Sequence, residues 1–459
     1  MKKLIGTKEF YKHLMIVALP IAIQNAISNF VGMLDNIMIG RVGTYPMSGV
    51  SIVNQLLFIF YLCIFGGMSG IGIFTAQFFG NGNVEGVRNT FRFKLLVSLL
   101  LTAVSIGLFL LAGPELIRLF LTADETGEAA AEILACGEGY LSVMLIGLVP
   151  FAVKEAYADT LRECDDTVLP MAASIAAVLV NLVFNYILIF GKFGAPALGV
   201  VGAAIATVIS RFAEFLIVII YAHTHSKKHP FIQGAFRTLR IPGSLARQMT
   251  VRGMPLLVNE TLWAGGMAVL TASYASLGIE VIPAQNIANT IANIFNISFI
   301  AMGSAIAIIL GQELGAGNPN VREDADRLTF FGFILCVISG ALLAVCAPFF
   351  PKIYNTEASV QALATSIIYL QAIFMPLNGF ANAEYFTLRS GGRTFITFLF
   401  DSCYVWCVSV PAALLLVNFT DLPFLAVYTI VCLLDLIKCA IGFVMVRKGI
   451  WVNNLTQEM

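Results

Sequence analysis

The chain has 459 residues, 58% of them hydrophobic and 12% charged, with a formal net charge of zero. A typical soluble domain is about 25% charged, and half that share cannot cover the surface of a water-soluble protein of this length. A soluble globular protein is therefore excluded, and lipid is the solvent that fits.

Crossing the hydrocarbon core takes about 20 mostly apolar residues. Twelve stretches qualify, at 14–39, 47–78, 91–113, 129–153, 168–190, 197–222, 254–277, 283–311, 327–347, 359–386, 395–418 and 423–446. The expected fold is an all-α membrane protein with twelve transmembrane helices. Met1-Lys2-Lys3 with Lys8 and Lys12 could open a signal peptide. The first stretch is too long and polar-striped for one, however, and lacks a small-residue cleavage site, so it reads as a retained helix. Eight of the nine cysteines lie inside apolar spans and no CxxC pair occurs, so they read as small buried apolar residues rather than a disulfide or zinc framework.

Polar residues inside lipid-spanning helices turn toward the bundle interior or a wet cavity. In the first span, Asn25, Ser28, Asn29, Gly32, Asp35 and Asn36 share one side. The second carries Ser51 and Asn54, and the fifth Ser174, Asn181 and Asn185. The seventh carries Glu260, Trp263, Thr271 and Tyr274. Asn286, Asn289, Asn293 and Asn296 stripe the eighth span, and Asn378, Asn382, Tyr385 and Arg389 the tenth. Any one asparagine could serve only an interhelical hydrogen bond, worth about 0.6 kcal/mol. Four in register on one helix fit an amide-lined cavity better. Met33, Met302, Met375, Phe295, Phe299, Phe374 and Tyr404 flank these stripes and either line that cavity or pack.

A charged carboxylate near the bilayer centre costs about 2.5–3.5 kcal/mol, so such a group is a functional candidate. Asp35 leads in the first half, having no basic residue nearby in its own helix. Asn181 and Asn185, four apart, present two amide oxygens on one face. One carboxylate and two amide oxygens suit a hard cation such as Na⁺, and the carboxylate alone suits a proton. In the second half Glu260 comes first, then Glu384 and Asp401. Asp435 and Lys438 are expected to pair with each other. Lys154 and Glu155, being consecutive, are expected to point to different faces.

Orientation follows from the basic residues. With a cytoplasmic N-terminus and twelve spans, twenty Lys and Arg fall inside and four, Arg41, Arg118, Lys192 and Lys352, outside. Both termini are thus expected in the cytoplasm of a cell whose inner (plasma) membrane holds the protein.

The chain also contains itself twice. At a shift of 235, Pro20 meets Pro255, Gly43 meets Gly278, Asn54 meets Asn289 and Gln77 meets Gln312, without a gap. The block ends in Gln77-Phe-Phe-Gly80-Asn-Gly82-Asn83 against Gln312-Glu-Leu-Gly315-Ala-Gly317-Asn318. At a shift of 227, Arg162 and Thr167 meet Arg389 and Thr394. Two six-helix lobes, 1–222 and 253–459, are expected around a central cavity, related by a pseudo-twofold axis along the membrane normal. The basic stretch 223–252 reads as a cytoplasmic linker, its His223, His225 and His229 lying in a solvated loop beside Lys227 and Lys228.

These residues resemble the multidrug and toxic-compound extrusion (MATE) family over nearly the whole chain. The resemblance rests on Asp35-Asn-Ile-Met-Ile-Gly40, the twin Gln-x-x-Gly-x-Gly-Asn endings and Leu161-Arg162…Thr167-Val-Leu-Pro170. Asn181…Asn185-Tyr186 and Gly202-Ala-Ala-Ile-Ala-Thr207 complete it. It implies efflux of amphipathic, often cationic, organic compounds in exchange for Na⁺ or H⁺, with Asp35 central and Asn181, Asn185 and Thr207 helping to hold the cation. Some members carry an aspartate where Asn185 stands, another near Asn378, and a glutamate closer to Trp263 than to Glu260. A second-half cation site would therefore have to be rebuilt from Glu260 and Glu384. The substrate cavity is expected to draw on Glu260, Asn286, Asn289, Asn293, Met302, Asn378, Asn382, Glu384 and Tyr385.

The partners expected are membrane lipids and small organic substrates, with no nucleic acid, no cofactor beyond the coupling ion, and a monomeric state. A lipid-linked oligosaccharide flippase of the same superfamily is the alternative, and it would be expected to carry more basic residues in its cavity. No intramembrane histidine and no HExxH or GxSxG motif supports an enzyme, and no re-entrant filter-like loop supports a channel.

Overall fold

A computed structural model describes residues 4–121 and 127–457, and among them it is all helix and turn, without a strand. The helices are α1 (Lys8–Gly40), α2 (Thr44–Gly80), α3 (Val84–Arg118), α4 (Glu128–Ile146), α5 (Leu148–Glu163), α6 (Val168–Phe190) and α7 (Gly199–Thr224). After the linker come α8 (Gly243–Ala275), α9 (Val281–Ala316), α10 (Val321–Cys346), α11 (Ala358–Ser390), α12 (Thr394–Phe398), α13 (Val410–Phe419) and α14 (Phe424–Lys448).

All twelve expected stretches are helical, with two internal breaks. The fourth divides into α4 and α5 at Gly147, where Pro150 cannot donate to the carbonyl one turn back. The eleventh widens into two π turns, Leu399–Cys403 and Val405–Ser409, just ahead of Pro411. A π turn is one way a helix absorbs the hydrogen bond that a proline removes. Among the described residues eleven helices, counting Thr394–Phe419 as one, are long and apolar enough to cross a membrane. The remaining stretch, the seventh, in α8, falls short because Asn259-Glu260-Thr261 interrupts its apolar run.

The chain forms two compact units. One consists of Ile23–Thr75 and Val84–Arg247, the amino-terminal unit. The other, the carboxy-terminal unit, consists of Met1–Ala22, Ala76–Asn83 and Gln248–Met459. The last turn of α2 thus belongs with the second half of the chain.

Backbone geometry repeats along with the sequence. Gly82 and Gly317 have φ of 70° and 71°, left-handed values that favour glycine. Asp165, at 63°, takes the place of Gly392, at 72°. Two helix ends also cross within the carboxy-terminal unit, at Gly80 and Gly315. A Cβ on Gly80 would strike the Gln312 carbonyl, and one on Gly315 the Gln77 carbonyl.

Gln77 itself is fully buried and holds the end of the chain. Its Nε2 donates to the carbonyls of Ser390 (3.1 Å) and Asn453 (3.2 Å), and its Oε1 accepts from Leu455 N–H (2.7 Å). Trp451 and Leu455 are wholly buried, and Asn454 Nδ2 donates to Gly315 O at 3.4 Å. Gln77→Leu strands two buried backbone groups, each worth about 1–3 kcal/mol, and a third that is half-buried. We expect amide exchange in residues 451–457 to speed up at least about 30-fold, equivalent to about 2 kcal/mol of local stability.

His223, His225, Lys227 and Lys228 are exposed, as in a solvated loop, but the linker is not solvated throughout. Phe231, Ile232 and Ala235 are buried, because they add an apolar face to the basic stretch. Arg88 and Arg92 of α3 bind its carbonyls, Arg92 Nε reaching Ala235 O at 2.7 Å. His229 is buried with Nε2 3.2 Å from Asp166 Oδ2, Lys228 reaches the same oxygen at 2.7 Å, and His223 meets Tyr157 OH at 3.1 Å.

Burial alone would raise the Asp166 carboxyl. His229, Lys228 and the Leu169 N–H outweigh it and hold the group down at about 2. Because that value is depressed, the anchor stays at full strength above the free carboxyl's 3.8 and is lost as pH falls toward 2. Exchange protection of residues 226–236 should hold from neutral pH to about 4 and then fall, while Asp166→Asn should weaken it at every pH.

Candidate functional site

Three helices of the amino-terminal unit bring Asp35, Asn181, Asn185 and Thr207 together. Asp35 lies in the last turns of α1. The four-residue step on α6 stacks Asn181 and Asn185 on one buried face. Thr207 comes from α7, which packs along α6 because Gly202 lets its backbone approach the Leu188 carbonyl.

The side chains form one relay. Asn185 Nδ2 donates to Asp35 Oδ1 at 2.6 Å and to Asn181 Oδ1 at 3.0 Å, and Asn181 Nδ2 donates to Thr207 Oγ1 at 3.3 Å. Asn181 and Asn185 are 4% and 1% exposed, and Asp35 is half-buried. Asn185 Oδ1 is buried with no hydrogen-bond partner among the described residues. An orphan acceptor beside a carboxylate is costly unless something positive shares it. The donor set, one carboxylate with amide and hydroxyl oxygens, fits a hard monovalent cation or a proton. The repeat places Leu270 opposite Asp35, so the carboxylate has no counterpart in the second half.

Sequence reasoning missed a second cluster in the same unit. Gln24 Nε2 donates to Ser174 Oγ (2.7 Å), which donates to Glu214 Oε1 (2.5 Å). Lys154 binds Glu155 at 2.5 Å and reaches Glu214 at 3.4 Å, so the consecutive pair does meet, Lys154 curling back to its neighbour. Arg162 joins Asp159 (2.6 Å) to Gln24 (3.3 Å).

The carboxy-terminal unit has its own cluster at equivalent places. Asn259, the repeat mate of Gln24, is wholly buried and donates to Asp401 Oδ2 (3.0 Å) and Tyr385 OH (3.3 Å). Asp401, the mate of Ser174, accepts from Lys438 at 2.8 Å. Lys438 thus pairs with Asp401 and not with Asp435, because the partner across the helix interface brings two half-buried charges together. Tyr385 OH donates to Glu260 Oε1 at 3.0 Å, and Ser402 donates from N and Oγ to Asn259 Oδ1. Asn259 gave no signal by residue type. Its register with Gln24 was the one available clue.

The remaining candidates separate. Asn286, Asn289 and Asn293 form one exposed face of α9, with Gln371 donating to Asn289 Oδ1 at 2.8 Å. Asn378 is exposed, and Asn382 is half-buried against Gly303. Met302 is not on that face. It is buried in the apolar core with Leu314, Leu328 and Phe386, beside Gly332, where a flexible thioether fills space. Glu384 is buried against Gly442 of α14 and shares no hydrogen bond with Glu260 among the described residues.

The MatE family model matches residues 20–187 and 255–415, two segments that begin 235 residues apart like the repeat. Probable multidrug resistance protein NorM of Thermotoga maritima is 26% identical over 92% of this chain and 88% of its own length. Probable multidrug resistance protein YoeA of Bacillus subtilis is 24% identical over 91% and 89%. The fold matches an outward-facing multidrug resistance MATE family transporter of the MOP superfamily, with a TM-score of 0.86 at 19% identity over 98% of this chain and 97% of that one. It also matches a mutant of the Vibrio cholerae MATE transporter VcmN, with a TM-score of 0.85 at 16% identity over 99% of each chain.

Proposed function

This chain belongs to the MatE family of membrane transporters, and from that premise we propose that it is a secondary active antiporter. It exports amphipathic, often cationic, organic compounds in exchange for Na⁺ or H⁺. The observation that carries the reading is the Asp35–Asn185–Asn181–Thr207 relay, a half-buried carboxylate joined to two amides and a hydroxyl from three helices.

With Asp35 ionised and no cation present, the Asn185 amide turns its N–H toward the carboxylate. A proton on Asp35, or Na⁺ beside it, reverses that preference. The carboxyl or cation then favours the amide oxygen, and Asn185 Oδ1 gains the partner it lacks. Loading the ion therefore changes what α1 and α6 offer each other, a differential contact of the kind that can bias one state over another.

The charge asymmetry supports both termini in the cytoplasm of a cell whose plasma membrane holds the chain. The repeat supports lobes 1–222 and 253–459 joined by linker 223–252. The asparagine face of α9, with Asn378, Asn382 and the Glu260–Tyr385 pair, is assigned to the substrate. The chain is taken to act as a monomer among membrane lipids.

The test is uptake of a fluorescent cationic dye into reconstituted vesicles, with Na⁺ and pH gradients imposed separately. Dye movement driven by one of the two supports antiport. Movement that ignores both overturns it.

A further inference from the structure

Glu384 of α11 has a setting unlike that of the other intramembrane carboxylates. It is 2% exposed, and neither carboxylate oxygen has a hydrogen-bond partner among the described residues. Its Oε2 lies against Gly442 of α14, where any Cβ would strike it, with Phe400 alongside. A bare carboxylate in such a site costs several kcal/mol, whereas a neutral carboxyl costs far less.

The charged and titratable groups around it are few. Lys438 and Cys439 face it from α14. Asp401 of the π-helical stretch and Asp435 lie one step farther, around Lys438. Tyr385 and Arg389 are on its own helix. From α9, Gly303 packs on Asn382 and Phe386, which leaves Glu313, ten residues on, about 15 Å away. The charges of α10 are confined to its first two turns.

Lys438 and Gly442 are four residues apart and share one face of α14. The ammonium group now sits on Asp401 at 2.8 Å, one helical turn from the Glu384 carboxyl.

Resting on the antiport reading above, we propose that Glu384 is a second proton-binding site, and that its ionisation draws Lys438 away from Asp401. In the structure described, Glu384 holds the proton and Lys438 belongs to Asp401 and, through it, to Asn259 and the π turns. When the Glu384 O–H bond breaks and its proton passes to water, the carboxylate becomes the stronger partner. Lys438 then swings one turn along α14, leaving Asp401 to Asn259 alone. The site differs in place from Asp35 and lies in the unit that has no Asp35 counterpart.

The test is infrared difference spectroscopy of the full-length protein in lipid, between acid and alkaline pH. Wild type should show the C=O band of a protonated carboxyl that disappears on alkalinisation. Glu384→Gln should lose that band and Asp35→Asn should keep it. Glu384→Gln should also flatten the pH profile of dye transport while leaving a Na⁺- or Asp35-dependent drive. A band that persists in Glu384→Gln, or a pH profile identical to wild type, overturns the proposal. If Glu384→Gln fails to fold, Lys438→Met serves instead. With no ammonium group to capture, the band should survive to higher pH, and an unmoved band counts against the switch. Dye efflux that survives Asp35→Asn would overturn the antiport reading alone and leave the infrared result standing.

Discussion

Asp35→Asn is expected to reduce ion-driven dye transport to the level of protein-free vesicles while leaving expression and thermal stability near wild type. The amide is nearly isosteric and keeps an oxygen for the Asn185 N–H, so the 2.6 Å contact survives as a neutral hydrogen bond. What is lost is the group that can carry a proton or balance a cation. Asn185→Ala should be milder. It removes the orphan Oδ1 and the bridge to Asn181, so the apparent affinity for the ion should fall about 10-fold, the equivalent of one charge-assisted hydrogen bond. Thr207→Ala should be milder still, since the hydroxyl touches Asn181 and not Asp35. Initial rates against ion concentration separate the cases: Asp35→Asn loses the maximal rate, and the other two shift the midpoint. Normal ion-driven efflux by a folded Asp35→Asn protein would remove the basis of the antiport reading.

Gly80→Val and Gly315→Val should each abolish accumulation of folded protein. At both positions the new Cβ would land on a backbone carbonyl, of Gln312 and Gln77 respectively. Backbone cannot swing away as a side-chain tip can, so the cost should exceed the usual 1–3 kcal/mol of overpacking and reach about 4 kcal/mol. Gly311→Ala is the graded control. Its Cβ would meet the Ala76 methyl at 2.8 Å, and a small shift should contain the loss to about 1–2 kcal/mol. The yield of folded protein separates the two valine variants from Gly311→Ala, and thermal unfolding in detergent measures the latter's loss. A Gly80→Val protein as abundant and stable as wild type would show that the two helix ends do not meet this way.

Much of the fold was legible because apolar length and repeat register are properties of the chain alone. All twelve helical stretches followed from composition, eleven of them long and apolar enough to span among the described residues, and the Gln-x-x-Gly-x-Gly-Asn endings marked the helix ends that cross. The Asp35 site was legible for a similar reason, since a carboxylate in an apolar helix and two asparagines at helical spacing are both one-dimensional signals. What escaped depended on which helices become neighbours. Lys438 reaches Asp401 across an interface that no spacing rule reveals. Gln24 and Ser174 look like ordinary polar residues until Glu214 joins them. The linker misled because its charges dominate by count, while three apolar side chains decide where it sits.

The closure of Gly80 on Gln312 and Gly315 on Gln77 has a meaning for the ancestry of the chain. Each repeat offers the same glycine and the same carbonyl, and each uses both at once, so the contact is isologous. Two identical copies of a half-length protein would meet in this way about a twofold axis. A six-helix ancestor could therefore have worked as a homodimer, with duplication and fusion making the pairing permanent. Fusion also freed the halves to diverge, so that a carboxylate such as Asp35 stands in one of them and leucine, at Leu270, in the other.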